Sequence, residues 1–488
     1  MSIEEATHTL DSESTGPAEI PRRHRIALVL VWSARESHRI GEAVMLPAGT
    51  SGVTVTLGRG EGPSGDLAMR ASLARFQPGR TQDTGPIVDP RISRRQALLT
   101  TGADDRSVRL SNVGRCPMLV DGKPVQSAEL QVGDVVQFRS ANAWLVTRRQ
   151  PPRPPKSFPG AAFPPFGEAD SHGVVGESPV AWALRDDAAF LARRQAHVLV
   201  RGDSGSGKEL VARTIHALSR RGGRPLIARN AATIPTGLVD AELFGNIKDY
   251  PNPGMRDRPG LLGEADGSTL FLDEISEVPE EVQAHLLRVL DGAGEYHRLG
   301  ESHARRADFR LLAATNRGLS ALKHDLLARL KLRIKVPGLN ERREDVPLLI
   351  RHLIRRTAVE DPEIGRRFLD DDGQPRVDVA LVERLVRHDY THHVRELEVL
   401  LWRAIATSDG DRVELTAALL EDLAGVQSGS RRSGASDLPQ SVNPRDLTRQ
   451  DVEVALARNG GVLKDTWPDL GLRNRFQLIR LMKKHGLK

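Results

Sequence analysis

The pattern of hydrophobic and polar positions divides the chain into regions of different predicted structure. From residue 24 to 149, short apolar runs alternate with turns rich in Gly, Asp and Pro, a pattern that predicts a β-sandwich. From 173 to 340, apolar runs alternate with helical stretches, as in a parallel α/β sheet, and from 341 to 425 only the helical period is present. The predicted sandwich strands include Arg25–Leu30, Val53–Leu57, Gln96–Thr100, Val108–Leu110, Met118–Val120 and Val135–Phe138.

The segments between and beyond these regions are polar or rich in Pro, Gly and Ser. Residues 1–23 are typical of a disordered tail. Residues 150–172 are rich in Pro and predict a stiff linker, and residues 426–445 predict a second linker. Residues 446–488 predict a small all-helical domain. The chain is therefore expected to be multidomain.

Composition narrows the class of protein. The 488 residues contain one Cys, which excludes a disulfide framework and a Cys-based zinc site. No apolar run approaches the roughly 20 residues of a membrane helix, so we expect a soluble, cytoplasmic protein with no membrane partner. The net charge of +6 is mild and does not by itself decide whether the chain binds nucleic acid.

A glycine-rich turn between a predicted strand and a predicted helix is the strongest chemical signal. Its spacing is that of a phosphate-binding loop, whose backbone N–H groups and lysine bind the phosphates of a nucleotide. Glu209 stands where Ser or Thr usually holds Mg²⁺, so the metal would need other ligands. The turn reads Gly202, Asp203, Ser204, Gly205, Ser206, Gly207, Lys208 and Glu209.

Two later predicted strands end in polar residues, as expected beside a phosphate loop. Ser268–Glu274 ends in the acidic pair Asp273 and Glu274. There, Asp273 would hold Mg²⁺ and Glu274 would polarise the attacking water. Phe309–Asn316 ends in Asn316, which would hydrogen-bond the γ-phosphate or the water, or would instead cap the next helix.

Together these segments resemble the AAA+ domain of the bacterial enhancer-binding proteins, the ATPases that activate sigma-54 RNA polymerase. The resemblance implies an α/β P-loop AAA+ domain over 173–340 with a helical lid over 341–425, and ATP as the nucleotide. The segments that carry it are 202–213, Glu242–Gly245, Gly267–Ile275, Ala314–Arg317, Leu339–Val346 and Val394–Leu397.

The resemblance also assigns roles to residues that spacing alone does not single out. Asn230 matches a switch residue that pairs with Glu274. Arg329 matches an arginine finger that reaches the neighbouring subunit, which implies a hexameric ring. Arg395 matches a second sensor carried by the lid. The alternative for Arg329 and Arg395 is that they are ordinary surface charges.

Three segments depart from the family pattern. Asp249–Gly254 replaces the sigma-54 contact loop, which reads Gly-Ala-Phe-Thr-Gly-Ala in the family, and its two prolines argue against nucleotide-driven movement. Lys323 stands where the family has a second arginine finger, so we expect weak ATPase activity. His388–His393 replaces a Trp-Pro-Gly-Asn turn, and we expect it to be a solvated turn that binds no metal.

The N-terminal sandwich resembles a forkhead-associated (FHA) domain, a phosphothreonine-binding fold. The resemblance implies that Arg59 pairs with the phosphate, that Ser93 adds a hydroxyl hydrogen bond and that Arg94 adds charge. The alternative is a sandwich used for protein contacts, with Arg59 merely solvated. The segments that carry the resemblance are Leu57–Arg59, Ile92–Gln96, Val120–Gly122 and Leu130–Asp134.

Two positions depart from the FHA pattern. Gln96 replaces the usual structural His. Cys116-Pro117 stands where the family has an Asn-Gly pair, whose Asn orders the backbone of the bound peptide.

The C-terminal 43 residues resemble the Fis-type helix-turn-helix domain that ends most enhancer-binding proteins. Residues 472–488 contain six Lys or Arg and no acidic residue, which suits a helix in the major groove. The alternative is a basic, solvated helix of a dimerisation unit. The expected base contacts are Arg473, Asn474, Arg475 and Gln477, and the expected phosphate contacts are Lys483 and Lys484.

The leading hypothesis is an ATP-dependent transcriptional regulator. It would bind DNA, contact the sigma-54 holoenzyme and a phosphothreonine protein, and self-associate as a dimer and a hexameric ring. Because the contact loop is altered, a sigma-54-independent DNA-binding regulator or repressor is the main alternative. A phosphopeptide-binding scaffold with a vestigial ATPase is a third, which the intact set of Lys208, Asp273 and Glu274 argues against.

Overall fold

The computed structural model describes most of the chain up to residue 423. The described residues are 24–47, 53–60, 69–102, 107–291 and 294–423, with 449, 452, 453, 456, 470, 482 and 483. Backbone contacts group residues 1–419 into one compact unit and residues 420–488 into a second. No helix within the described ranges is long and apolar enough to cross a membrane.

The predicted DNA-contacting residues fall almost entirely beyond this part. Lys483 is described and is exposed in helical backbone. The residues of this set that lie outside the described residues are Arg473, Asn474, Arg475, Gln477 and Lys484.

Residues 25–149 form the predicted sandwich. Its strands are β1 (Arg25–Ser33), β2 (Ala43–Met45), β3 (Thr54–Leu57), β4 (Met69–Arg70), β5 (Leu73–Gln77), β6 (Arg80–Gly85), β7 (Ala97–Thr101), β8 (Ser107–Asn112), β9 (Met118–Val120), β10 (Lys123–Val125), β11 (Ser127–Gln131), β12 (Val135–Phe138) and β13 (Asn142–Arg149). One sheet has the order β10-β9-β12-β13-β1-β2-β5-β6 and the other β11-β8-β7-β3-β4. The six predicted strands are confirmed as β1, β3, β7, β8, β9 and β12.

Strand β1 is buried on both of its faces. After Arg25, every residue of the strand is buried. One face packs in the sandwich core, while on the other Trp32 Nε1 donates to the carbonyl oxygen of Val377 at 2.8 Å, beside the helical lid. Two-sided burial explains why residues 26–32 are a continuous apolar run instead of an alternating one.

The Pro-rich linker is attached to the α/β region rather than standing free as a spacer. Phe158 and Phe163 pack with Trp182, with ring centroids 4.9 to 6.1 Å apart. The Asp186 carboxylate accepts the backbone N–H groups of residues 156–158 at 2.6 to 3.1 Å. The linker therefore spans the boundary between sandwich and α/β region in a fixed path.

Residues 179–335 contain a five-stranded parallel sheet with helices. The elements are α1 (Pro179–Ala192), β14 (Val198–Arg201), α2 (Lys208–Ala217), β15 (Leu226–Asn230), α3 (Val239–Phe244), α4 (Gly260–Glu264), β16 (Thr269–Asp273), α5 (Glu280–Asp291), β17 (Glu295–Tyr296), β18 (Arg305–Arg306), β19 (Arg310–Thr315), α6 (His324–Arg329) and β20 (Leu332–Lys335). The sheet order is β15-β16-β19-β14-β20. Asn230 pairs in register with Asp273, and Arg201 with Thr315, so these strand ends meet at one edge.

The helical lid follows, as predicted. Its helices are α7 (Val346–Glu360), α8 (Pro362–Phe368), α9 (Val379–Val386) and α10 (His393–Thr407). Helix α9 packs against β1 and β13 of the sandwich.

Two adjacent carboxylates just before α7 join the lid to the other two regions. Arg149 Nε lies 2.8 Å from Glu344 Oε2, and the two side chains are 3% and 8% exposed. Asp345 accepts the N–H groups of Glu177 and Ser178 at 2.8 and 2.9 Å. Burial raises the pKa of Glu344, and the charge of Arg149 opposes that rise.

Replacing Arg149 by Ala should destabilise the protein strongly, because it leaves Glu344 buried without its cation. The expected loss is about 3–5 kcal/mol, measured as a drop in the first thermal unfolding transition. The loss should shrink as the pH is lowered, because the stranded carboxyl can then take up a proton. Arg109→Ala is the control: its partner Glu129 is 3.6 Å away and both side chains are exposed, so the change should stay below about 1 kcal/mol. Equal losses in the two variants would contradict the assignment.

Candidate functional site

The glycine-rich turn between β14 and α2 forms a tight loop. Gly205 and Gly207 have φ angles of 76° and 102°, which glycine adopts without steric cost. A Cβ added at Gly207 would meet nothing within 4 Å, so there is room beside the loop. Ser206 Oγ is buried and has no hydrogen-bond partner among the described residues. A loop with spare space and an unused hydroxyl fits a phosphate group.

Lys208 connects this loop to the acidic residues at the end of β16. Its Nζ donates to the carbonyl oxygen of Gly202 at 3.0 Å and lies 3.5 Å from Glu274 Oε1. Glu274 Oε2 accepts the N–H of Asn316 at 3.3 Å. The structure therefore brings Lys208, Glu274 and Asn316 together at the sheet edge where sequence reasoning expected them.

The acidic pair is held in an unusual backbone conformation. Glu274 has a φ of 50°, a left-handed conformation that costs free energy in a non-glycine residue and is concentrated at functional sites. Asp273 Oδ1 accepts the N–H of Glu274 at 3.0 Å. Burial, and next the negative charge of Glu274, raise the pKa of Asp273, while Lys208 lowers it. Two neighbouring carboxylates supply the hard oxygen ligands that suit Mg²⁺.

The start of lid helix α10 lies directly on the phosphate loop. Each of residues 393–395 contacts a different one of residues 203–205. The contacts are His393 Nε2 with Asp203 Oδ2 at 3.2 Å, Val394 N–H with Gly205 O at 3.1 Å, and Arg395 Nη1 with Ser204 Oγ at 3.2 Å. Arg395 thus stands at the loop, as its expected role as a sensor requires.

Three predicted site residues make their contacts elsewhere. Glu209 is exposed and pairs with Arg213 on α2 at 2.7 Å. Asn230 Oδ1 accepts the N–H of Ala232 at 2.9 Å and so caps a short 3₁₀ turn. Arg329, at the end of α6, pairs with an exposed carboxylate, that of Asp291. These three contacts lie along α2, at the 3₁₀ turn after β15 and at the end of α6.

The expectation that His388–His393 is a solvated turn is wrong for three of its six residues. His388, Tyr390 and His393 are 0%, 3% and 4% exposed. The rings of His388 and Tyr390 pack together, and the ring of His393 lies against Gly338. Glu396 holds the turn, because its Oε1 lies 2.7 Å from His388 Nε2 and its Oε2 accepts backbone N–H groups of the turn. Burial opposes the charge of Glu396, but these hydrogen bonds outweigh it and lower its pKa to about 2. The turn is therefore held from within its own segment, by a carboxylate in the first turn of α10.

The loop in the sigma-54 contact position is closed by its own hydrogen bonds. The N–H of Asp249 donates to Met255 O, and Asp249 Oδ1 accepts the N–H of Gly254, both at 2.8 Å. Tyr250 is 44% exposed, and its ring lies against Gly300, where an added Cβ would be 2.6 Å from Tyr250 Cγ. These contacts join the two ends of the loop and place Tyr250 against Gly300.

The expected phosphopeptide residues lie together at one end of the sandwich. The N–H of Arg59 donates to Ser93 O at 3.0 Å, and Arg59 Nε donates to Ile92 O at 3.2 Å. Arg70 Nη2 donates to the carbonyl oxygens of Arg59 and Arg94 at 3.0 and 2.8 Å. Arg70 was not among the predicted residues, because it lies in none of the segments that carry the FHA resemblance.

Gln96, at the position where the FHA pattern has a His, holds Ser93 in place. It is fully buried, its Oε1 accepts the N–H of Ser93 at 2.9 Å, and its Nε2 donates to Asn112 Oδ1 and Cys116 O at 2.7 and 2.8 Å. Ser93 Oγ accepts the N–H of Arg115 at 3.0 Å. With Gln in place of His at position 96, Ser93 is therefore still fixed beside Arg59.

Three family models match successive parts of the chain. A Sigma-54 interaction domain matches residues 174–338, an AAA+ ATPase lid domain residues 340–436, and an FHA domain residues 55–139.

Similar proteins are transcriptional regulators. The regulatory protein ZraR of Salmonella typhimurium is 33% identical over 330 residues, which cover 65% of this chain and 70% of ZraR. The response regulator PilR of Pseudomonas aeruginosa is 36% identical over 290 residues, covering 58% and 62% of the two chains. Among solved structures, NtrX of Brucella abortus is similar, with 28% identity, a TM-score of 0.47, and 64% and 69% of the two chains covered.

Replacing Asp273 by Asn should stabilise the protein at neutral pH, because burial and Glu274 both disfavour the Asp273 carboxylate. Since the folded-state pKa is raised, the unfavourable charge is present at high pH and is lost as the pH falls. The gain, about 1–3 °C in the unfolding midpoint at pH 8, should therefore be lost as the pH falls through the raised pKa of Asp273 toward the ordinary value of 3.8. Thermal unfolding across this pH range measures it. A variant that is less stable than the parent at pH 8 would contradict the assignment.

Proposed function

Because the chain belongs to the family of AAA+ transcriptional regulators with a sigma-54 interaction domain, we propose that it couples ATP hydrolysis to control of transcription. Its AAA+ region is an ATPase, and its N-terminal sandwich is an FHA domain. The observation that carries the proposal is the meeting of Lys208, Glu274 and Arg395 around one phosphate loop.

We assign the steps of hydrolysis to residues of this loop and its neighbours. Lys208 binds the β- and γ-phosphates, and its ammonium group is already within reach of both the loop and Glu274. Glu274 orients a water and accepts its proton as the water oxygen bonds to the γ-phosphorus and the bond to the bridging oxygen breaks. Asn316 lies next to Glu274 and would help to fix the water.

Mg²⁺ would be held by Asp273, whose carboxylate is next to the loop and beside Glu274. When bound, it would neutralise charge on the phosphates. The raised pKa of Asp273 supports this assignment, because a carboxylate that is costly to bury alone gains most from a cation.

Of the residues outside this cluster, Arg329 and Lys323 would act between subunits and Asn230 within one. Arg329 is exposed at the end of α6, where it could be presented to a neighbouring subunit's γ-phosphate in a hexameric ring. Lys323, a point charge in place of a second finger, fits weak activity. Asn230 would switch between the cap it makes to Ala232 and a contact to Glu274.

Signal input and DNA binding complete the proposal. Arg59, Ser93 and Arg94 would bind a phosphothreonine protein, because Arg59 is held against the segment that carries Ser93 and Arg94. The basic segment 472–488 would bind DNA at an enhancer-like site, with the chain as a dimer. The output would be contact with the sigma-54 holoenzyme through Asp249–Gly254.

One observation favours a second candidate function. Asp249–Gly254 is tied by hydrogen bonds within itself and packed on Gly300, and it lacks the family's contact sequence. A loop that does not move with the nucleotide would not remodel the polymerase. The chain would then be a sigma-54-independent DNA-binding regulator or repressor that uses ATP to control its assembly.

The purified full chain should form a complex with sigma-54 only when ADP and aluminium fluoride mimic the transition state of hydrolysis. Tyr250→Ala should weaken that complex at least about tenfold, because exposed aromatic side chains dominate contacts of this kind. Val359→Ala, an exposed apolar position on α7, is the matched control and should leave the complex unchanged. Size-exclusion chromatography and fluorescence anisotropy measure both.

The same samples must also show that the measured ATP hydrolysis takes place at this site. Glu274→Gln should lower ATPase activity by about 100-fold or more. An active sample that gives no complex with the analogue would rule out the sigma-54 activator and favour the second candidate.

Arg59→Ala should lower the affinity of the full chain for phosphothreonine peptides by about tenfold or more, since it removes a charge-assisted hydrogen-bond donor. A degenerate phosphothreonine peptide library, compared with its unphosphorylated form by anisotropy, gives the measurement. Arg109→Ala, in the same sandwich but paired with Glu129, should bind as the parent does. Equal binding of phosphorylated and unphosphorylated peptides would leave a sandwich used for other protein contacts.

A further inference from the structure

His393 contacts the phosphate loop, the junction between the α/β region and the lid, and the lid helix that it begins. Its Nε2 lies 3.2 Å from Asp203 Oδ2 in the loop. Its Nδ1 accepts the N–H of Leu339, at the junction, at 3.3 Å. Because Nδ1 is the acceptor, the ring proton is on Nε2 and points to the Asp203 carboxylate, so the neutral ring satisfies both contacts.

Two glycines leave the room that this arrangement needs. A Cβ on Gly338 would lie 2.3 Å from His393 Cε1, and a Cβ on Gly205 would lie 2.1 Å from the carbonyl oxygen of His392. Gly338 has a φ of −75°, which any residue adopts, so its small size serves the close approach of the ring and not a special backbone shape. The turn before α10 is therefore packed against both the loop and the junction.

The backbone of His393 is itself constrained. Its φ is 48°, in the left-handed region. Such a conformation persists only where surrounding contacts hold it. Here the contacts come from Asp203, Leu339 and Gly338 on one side and from Glu396, which fixes the turn from within the helix, on the other.

We propose that His393 is a positioning residue that fixes the lid, and with it Arg395, over the phosphate loop, and thereby sets the affinity of the site for ATP. The proposal rests on the assignment of ATP hydrolysis to this loop. Arg395 is two residues after His393 on α10 and reaches Ser204, the neighbour of Asp203. If the ring lost its two partners, only the Val394 N–H bond to Gly205 O and Arg395 itself would still hold the start of α10 on the loop. Arg395 would then meet the nucleotide in more orientations.

His393→Asn is the direct test, because Asn tolerates the left-handed backbone but cannot span from Leu339 to Asp203. The KM for ATP of the full chain should rise about five- to tenfold, the effect of one or two hydrogen bonds, while kcat changes less than about twofold. A merely structural role would instead lower the unfolding midpoint and kcat and leave KM unchanged.

Gly338→Ala tests the same contact sterically, since its methyl group would displace the ring without straining the backbone. It should raise KM as His393→Asn does, and it should add nothing in the His393→Ala background, where the ring is absent. Gly365→Ala, in α8 with only ordinary contact to Ala358, is the matched control and should leave KM unchanged.

An unchanged KM in both His393→Asn and Gly338→Ala would overturn the proposal, as would full additivity of Gly338→Ala with His393→Ala. Lys208→Ala separates this from failure of the proposed function. If Lys208→Ala retains ATPase activity, hydrolysis does not belong to this loop. If it loses activity while His393→Asn leaves KM unchanged, only the positioning role fails.

Discussion

The arrangement of the described chain depends on two adjacent buried carboxylates. Glu344 pairs with Arg149 at the end of the FHA sandwich, and Asp345 accepts two backbone N–H groups and a hydroxyl from Glu177 and Ser178 before α1. A buried charge is tolerated only with its partner in place. Because the two residues are neighbours in the chain, neither the sandwich nor the α/β region can leave the start of the lid without stranding a charge. The start of the lid is thus fixed to both the sandwich and the α/β region at one point.

Beside the phosphate loop there is a second kind of constraint, which is the backbone conformation of two residues. Glu274 and His393 are both non-glycine residues with φ near 50°, and they face the same phosphate loop from opposite subdomains. Each is held by contacts to a different element, Glu274 by Lys208 and Asn316 and His393 by Asp203 and Leu339. Residues held in this way are ordered before a ligand arrives, which reduces the cost of assembling the site.

The sequence was sufficient where a local pattern determines geometry. The carboxyl ends of parallel strands meet at one edge, so a phosphate loop after β14 and an acidic pair after β16 had to converge. The sequence was not sufficient where burial depends on packing between segments that are distant in the chain. His393 lies in a polar segment, yet its ring is buried against Gly338 and Asp203, which are far from it in the chain. The pairing of Glu209 with Arg213 was equally hidden, because the loop motif does not specify the rotamer of its last residue.

The contacts between the regions limit how a peptide bound at the FHA domain, as proposed above, could change ATP hydrolysis. A bound peptide shifts a distant equilibrium only through contacts that differ between two states. Within the described chain, the sandwich contacts the lid at Trp32 with Val377, Arg149 with Glu344, Gln137 with Glu383 and Asp121 with Arg387. It also contacts the α/β region directly, at Gln77 with Glu177. Under the proposed function, a peptide at Arg59 could therefore act on hydrolysis within one subunit through the lid or through Gln77. Of these two routes, the lid is the one that contacts both the sandwich and the phosphate loop.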